Sequence, residues 1–169
     1  MPPPDEPNEP KVPRESPKIS SDTLPLSYFV TVRTFGCRSV FHEAPKASTV
    51  VDVIESTRRR VGFKKYGYVV LPDHYHVLLG GGPDSRSVAD AILSINRSVE
   101  RFIRRTADTG QPLWDDEPEV LVLYTPRARV EKLNYIHHKP VVCGIVERAE
   151  DYEFSSARFY FERYGKTQF

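Results

Sequence analysis

A pair of histidines in a short β-prone hairpin constrains the fold of this chain more than any other feature. His74 and His76 follow the apolar run 66–71 and a turn-forming Pro-Asp pair. Successive side chains of a strand point to opposite faces, so both imidazoles project from one face while Tyr75 points to the other. Two neighbouring imidazoles can bind one metal ion or one phosphate. Half-buried histidines in an ordinary strand are the alternative.

Hydrophobic periodicity divides residues 26–169 into strands and helices. Strands are predicted over 26–34, 65–71, 74–80 and 120–124, and helices over 47–61, 85–106 and 126–139, the last ended by Pro140. The order β-α-β-β-α-β predicts an α+β, ferredoxin-like antiparallel sheet with two helices on one face. An added C-terminal tyrosine-bearing helix and a tail complete it. We therefore expect His74 and His76 on the open face of the sheet.

Residues 1–25 differ in composition from the rest of the chain. They hold eight of the 15 prolines and few apolar residues, which predicts a disordered Pro-rich tail before a single domain over 26–169. The sequence has no apolar run of membrane-spanning length and no signal-peptide pattern at its N-terminus. Cys37 and Cys143 lack metal-type spacing. We expect a protein of the reducing cytoplasm with no membrane partner.

Basic residues cluster in two places, although the net charge is only +1. One cluster lies around residue 60, and the other lies on one face of the helix predicted over 85–106. A solvated helix face is the alternative explanation for such a stripe. The candidate DNA-binding residues are Arg58, Arg59, Arg60, Lys64, Lys65, Arg97, Arg101, Arg104 and Arg105.

The helix predicted over 126–139 carries a tyrosine on its polar side. Tyr135 lies about 200° from Leu133 on a helical wheel, and Glu131, His138 and Lys139 flank it. A phenol can attack phosphorus when it is oriented and when a metal or cation stabilises the developing charge. Tyr135 is therefore a candidate nucleophile and the histidine pair a candidate metal site. A surface tyrosine or a second packing interface is the alternative.

Other aromatic residues are expected to have packing roles. Trp114 is a candidate for stacking unpaired bases, but anchoring of its loop on the core is the simpler interpretation. Tyr124, Tyr152 and Tyr160 lie near Tyr135 in sequence, yet their strand and tail positions favour packing over nucleophilic attack.

Four segments together resemble the REP-associated tyrosine transposases of the single-tyrosine HUH superfamily. They are YFVTVRT (28–34), YGYVVLPDHYHVLL (66–79), GQPLW (110–114) and KLNYIHHKPVVCGIVERAEDYEFSSARFY (132–160). The resemblance implies metal-dependent cleavage and transfer of single-stranded DNA, at DNA hairpins, through a 5′-phosphotyrosine intermediate. It also implies a magnesium or manganese cofactor, a bacterial, nucleoid-associated location, and a monomer or homodimer.

By motif position, the resemblance assigns His74 and His76 as metal ligands and Tyr135 as the nucleophile. The chain departs from the family's pattern at Lys139, where an asparagine or glutamine is usual. A protonated lysine cannot ligate a cation, but it could hold the phosphate, which makes Lys139 the tenth candidate DNA-binding residue. His138 could replace the missing ligand. This departure leaves a second function open, a domesticated hairpin-DNA-binding protein with weakened or no catalysis. An RNA-binding ferredoxin-like domain is a third, for which the histidine pair has no obvious purpose.

Overall fold

A computed structural model describes residues 26–81, 85–106, 110–115 and 117–169. The elements are β1 (Ser27–Arg33), α1 (Ala44–Val61), β2 (Lys64–Leu71), β3 (His74–Gly80), α2 (Ser85–Thr106), β4 (Glu119–Leu123), α3 (Pro126–Val142) and α4 (Ala157–Tyr164). The predicted disordered tail 1–25 lies outside the described residues. No helix in the described ranges is long and apolar enough to cross a bilayer.

The four strands form one antiparallel sheet in the order β2-β3-β1-β4. This topology confirms the predicted α+β, ferredoxin-like arrangement, with α3 and α4 added after β4. The β2–β3 hairpin is tight, because Leu71 and His74 pair directly across the turn. In the register of β1 and β3, Thr31 lies opposite His76 and Arg33 opposite His74.

Helices cover both faces of the sheet. The core on the α1 and α2 side contains Val30, Val70, Tyr75, Val77, Ile54 and Ile95. The core on the other side contains Phe29, Val69, Leu71, Leu78, Leu133 and Ile136, the last two from α3. The histidines face away from α1 and α2, as expected, but their face is not open. Because α3 packs on it, His76 is buried and only 4% exposed.

Gly67 allows α3 to approach the sheet closely. A Cβ atom at this position would lie 2.6 Å from Leu133 Cδ1 and 3.1 Å from Ser156 Oγ. The pairing of β2 with β3 shifts between Lys65 and Gly67, as in a β-bulge. The bulge and the missing side chain together leave room for Leu133 against the strand.

α3 ends differently from the sequence prediction, which placed its end at Lys139 before Pro140. The helix continues through Pro140 to Val142. Gly144 has a φ of +68° and donates its N–H to Val141 O (2.9 Å), while Ile145 N–H donates to Pro140 O (2.9 Å). These two bonds form a Schellman motif, which ends the helix one turn later. Proline is tolerated in this last turn, where it is buried.

α2 and the following loop pack against the same core. The apolar residues Val88, Ile92, Ile95, Val99 and Ile103 of α2 are buried, whereas Phe102 is 44% exposed. Trp114 Nε1 donates to Asn96 O at 3.0 Å, and its ring contacts Phe41 and Tyr75. Trp114 therefore anchors its loop on the core, as expected.

The C-terminal segment returns to α3 and β2. His137 is fully buried; its Nδ1–H donates to Thr167 O (2.6 Å), and its Nε2 bonds to Ser156 Oγ (2.9 Å). The hydroxyls of Tyr152 and Tyr160 donate to backbone carbonyls of β2, which confirms their predicted packing roles. The prediction for Tyr124 is wrong, because its side chain lies just beyond β4 and is 67% exposed.

Gly67→Ala should lower the free energy of unfolding by about 1–3 kcal/mol, because the new methyl group overlaps Leu133. Urea denaturation measures the change. The control is the same substitution in a Leu133→Ala background, where the clashing Cδ1 is absent. There Gly67→Ala should cost less than in the wild-type chain; an equal cost in both backgrounds would contradict the packing argument.

Candidate active site

β1, β3 and α3 bring the histidine pair and Tyr135 together. The ring centroids of His74 and His76 are 4.8 Å apart, and those of His76 and Tyr135 are 5.5 Å apart. Phe29 stacks on His76 at 5.0 Å and meets Tyr135 edge-on at 5.8 Å. Tyr135 remains 40% exposed, so its ring contacts the buried imidazole while part of the side chain stays accessible to a ligand.

Each imidazole of the pair is oriented through its Nδ1 atom. His74 Nδ1–H donates to the carboxylate of Asp73 at 2.6 Å, and His76 Nδ1 is joined to Thr31 Oγ1 at 2.9 Å. In the described ranges, His76 Nε2 is the one buried side-chain polar atom that has no hydrogen-bond partner. A histidine held through one ring nitrogen, with the other nitrogen unpaired, is the usual arrangement of a metal ligand. The residues present therefore fit a divalent metal ion.

Burial keeps the imidazole of His76 in its neutral form. Loss of solvation lowers the pKa of His76 to about 3, and electrostatic repulsion from His74, Lys139, Arg33 and Lys132 acts in the same direction. A neutral imidazole has the lone pair that metal ligation requires. His76 is therefore ready to ligate throughout the neutral pH range.

Two lysines of α3 flank the ring of Tyr135. Lys139 Nζ lies 5.2 Å and Lys132 Nζ 5.4 Å from the ring centroid of Tyr135. Lys132 Nζ also lies 4.8 Å above the ring of Phe29. These ammonium groups give the site a positive field suited to a phosphate. Sequence reasoning named Lys139 but missed Lys132; its spacing of three residues before Tyr135 was the available signal.

His138 does not join the histidine pair. Its side chain is exposed on α3, and the described part of the chain holds no group of three His, Cys, Asp or Glu side chains that could bind one metal. A helical residue three positions after Tyr135 is rotated about 60° away from it, which turns His138 off the side that faces β3. The prediction of His138 as a third ligand is not met by this geometry.

The basic cluster near residue 60 is largely neutralised by Glu55. Its carboxylate binds Arg58 (2.5 Å), Arg59 (3.3 Å) and Lys65 (2.8 Å). Hydrogen bonding to Arg58, opposed by partial burial and reinforced by Lys65, lowers the pKa of Glu55 to about 2. These three cations therefore have an internal partner already, while Lys64 lies over the ring of Tyr66 at 5.1 Å.

The other predicted DNA-binding residues lie on the helical layer opposite the histidine pair. Arg60, Arg97 and Arg101 border a shallow pocket of about 340 Å³ between α1 and α2. Arg104 pairs with Glu100 at 2.8 Å, and Arg105 is exposed near the end of α2. Of the ten predicted DNA-binding residues, Lys139 is thus the one that the structure brings to Tyr135.

Solved structures with a similar fold include two transposases. A REP-associated tyrosine transposase bound to a REP hairpin matches with a TM-score of 0.69 and 18% identity, over 88% of this chain and 87% of that one. The chain has the fold of this transposase. A candidate transposase from Deinococcus radiodurans R1 matches with a TM-score of 0.52 and 20% identity, over 73% and 98% respectively. No protein-family model matches the chain, and no curated protein matches it.

The low pKa of His76 makes stability depend on pH. An unfolded histidine titrates near pH 6.5, whereas folded His76 titrates near 3. The unfolded state therefore binds the extra proton between these values, and the free energy of unfolding falls as the pH drops below about 6.5. In His76→Gln this contribution is absent, so urea denaturation at several pH values should show a shallower fall than in wild type. Parallel curves would contradict a neutral, buried His76.

Proposed function

We propose that the chain is a REP-associated tyrosine transposase of the single-tyrosine HUH type. It cleaves and rejoins single-stranded DNA next to a hairpin, with Tyr135 as the nucleophile. The observation that carries this proposal is the ring contact of Tyr135 with His76, whose buried Nε2 has no hydrogen-bond partner among the described residues. The fold shared with a transposase bound to a REP hairpin supports the same substrate class.

In this proposal His74 and His76 would hold a magnesium or manganese ion, for which their Nε2 atoms are available. The ion would supply Lewis-acid polarisation of the scissile phosphate. Two imidazoles are too few for such an oxygen-preferring ion, so water and phosphate oxygens would have to supply its remaining ligands. Asp73 and Thr31 keep both rings oriented, and the packing of Phe29 on His76 keeps water from that side of the imidazole.

The phenolic oxygen of Tyr135 attacks the phosphorus atom and loses its proton to solvent. The bond from phosphorus to the 3′ oxygen breaks, and that oxygen leaves as a 3′-hydroxyl after protonation. Lys132 and Lys139 stabilise the negative charge of the phosphate during the exchange. Attack by the 3′-hydroxyl of another strand on the phosphotyrosine reverses the step and joins new ends, without net consumption of energy.

A domesticated hairpin-DNA-binding protein is the second candidate. Two observations favour it. Lys139 stands where a neutral amide would suit a metal site. Its positive charge repels a proton at His76 and would repel a metal ion there in the same way. The described residues also provide no third ligand from His, Cys, Asp or Glu. In either function we place the protein at DNA in the bacterial cytoplasm, as a monomer or homodimer.

With manganese, the wild-type protein should form a covalent adduct with a 3′-labelled single-stranded oligonucleotide that carries a hairpin. Tyr135→Phe should form no adduct under the same conditions. The substitution removes one oxygen and keeps the ring contacts to His76 and Phe29, so folding should be unchanged. A denaturing gel measures the adduct. The matched control is Tyr124→Phe, which alters a more exposed tyrosine and should leave the adduct intact. A wild-type protein that binds the hairpin but never forms an adduct would favour the second candidate.

Manganese binding should require both histidines and should be weakened by Lys139. Calorimetry should detect no binding to His74→Ala or His76→Ala. Lys139→Met keeps most of the side-chain length but removes the charge, so manganese affinity should rise severalfold as repulsion is relieved. Unchanged affinity in the histidine variants would exclude this metal site, and unchanged affinity in Lys139→Met would place the ammonium group away from the ion.

A further inference from the structure

A separate pocket lies at the β2 edge of the sheet, between β2 and α4. Its volume is about 430 Å³, which is in the range of small-molecule sites. Aromatic rings and basic side chains both contribute to its lining, which includes Lys64, Tyr66, Tyr68, Ser156, Phe159 and Tyr160. It therefore combines a surface for stacking with positive charge.

Phe159 presents the most accessible ring of this pocket. Its side chain is 56% exposed, and its ring is nearly perpendicular to that of Tyr160, with the centroids 5.6 Å apart. Tyr160 is fixed in turn, because its hydroxyl donates to Tyr66 O at 2.6 Å. An exposed phenylalanine supported by a fixed neighbour is the arrangement on which unpaired bases stack.

Lys64 supplies the available positive charge. Arg58 and Lys65 also line the pocket, but both are bound to Glu55. Lys64 is exposed and contacts the ring of Tyr66, with no acidic partner among the described residues. A phosphate next to a base stacked on Phe159 would therefore bind at Lys64.

We propose that this pocket binds one unpaired nucleobase of the DNA strand, stacked on Phe159, with the adjoining phosphate at Lys64. The proposal rests on the proposed function for the identity of the strand. It adds a recognition site that is distinct from the histidine pair and would hold the single-stranded DNA that flanks the hairpin.

A peptide strand is a poorer ligand for this edge. Val70 N–H already donates to Phe154 O (2.8 Å), and Ser156 N–H donates to Tyr68 O (3.0 Å). Val69 and Ser155 form an antiparallel bridge there. Because the chain's own segment occupies this part of the β2 edge, the backbone groups that would pair with an added strand are already used.

Two residues that line the pocket contact α3. Ser156 Oγ lines the pocket and bonds to His137 Nε2 at 2.9 Å. Gly67, also in the lining, lies against Leu133. Leu133 and His137 are two residues before and two residues after Tyr135. The pocket is therefore separated by one layer of residues from the helix that carries the candidate nucleophile.

Fluorescence anisotropy with labelled octathymidylate tests the pocket without requiring cleavage. Phe159→Ala should weaken binding about 5- to 150-fold, the loss expected for one base–aromatic stack. Phe102→Ala is the matched control, because Phe102 is similarly exposed on α2, and it should bind as wild type does. Lys64→Gln should reduce the slope of log affinity against log salt concentration by about 0.7, the value for one phosphate contact on a single strand.

A second probe, an abasic deoxyribose-phosphate octamer, separates stacking from charge. Wild type and Phe159→Ala should bind it equally. The proposal is overturned if Phe159→Ala binds octathymidylate as tightly as wild type, if its defect persists on the abasic octamer, or if wild type does not bind octathymidylate. If Phe159→Ala forms the adduct and binds octathymidylate as wild type does, the pocket proposal is refuted but the proposed catalysis is not. If binding depends on Phe159 but no adduct forms even with wild type, the proposed catalysis is refuted but the pocket is not.

Discussion

The packing of α3 on the sheet at Gly67 is the contact on which the candidate site depends. Leu133 can reach β2 only because residue 67 has no side chain. That contact fixes the height and rotation of α3, and these place the ring of Tyr135 beside His76. The same packing buries His76. The placement of α3 on the sheet therefore accounts both for the location of Tyr135 and for the neutral state of the His76 imidazole.

The site combines two electrostatic requirements that oppose each other. A buried neutral imidazole with an unpaired Nε2 is suited to a cation, while Lys132 and Lys139 beside Tyr135 are suited to a phosphate. In the proposed function, a phosphate bound between them would reconcile the two, because its charge would offset the repulsion between lysine and metal. We therefore expect metal and DNA to bind cooperatively, so that the site binds either ligand weakly when the other is absent.

The sequence predicted local features better than packing between distant segments. The short β-prone runs in 66–80 predicted the hairpin and the common face of its two histidines. The position of Tyr135 on the polar side of its helix indicated that this tyrosine has more than a packing role. The coverage of the second sheet face was missed, because periodicity shows that α3 has an apolar side but not where that side packs. The role of Gly67 depends on Leu133, 66 residues later. His138 was wrongly grouped with the pair, since helical spacing does not report how a helix is rotated against a strand.

Mass spectrometry of the protein–DNA adduct tests the central claim most directly. Wild-type protein is incubated with manganese and a hairpin oligonucleotide, digested with nuclease and trypsin, and the nucleotide-bearing peptide is sequenced. The account predicts the nucleotide on Tyr135, which is the one tyrosine in residues 133–148. A nucleotide on Tyr124 or Tyr164, both of which are exposed, would contradict the account.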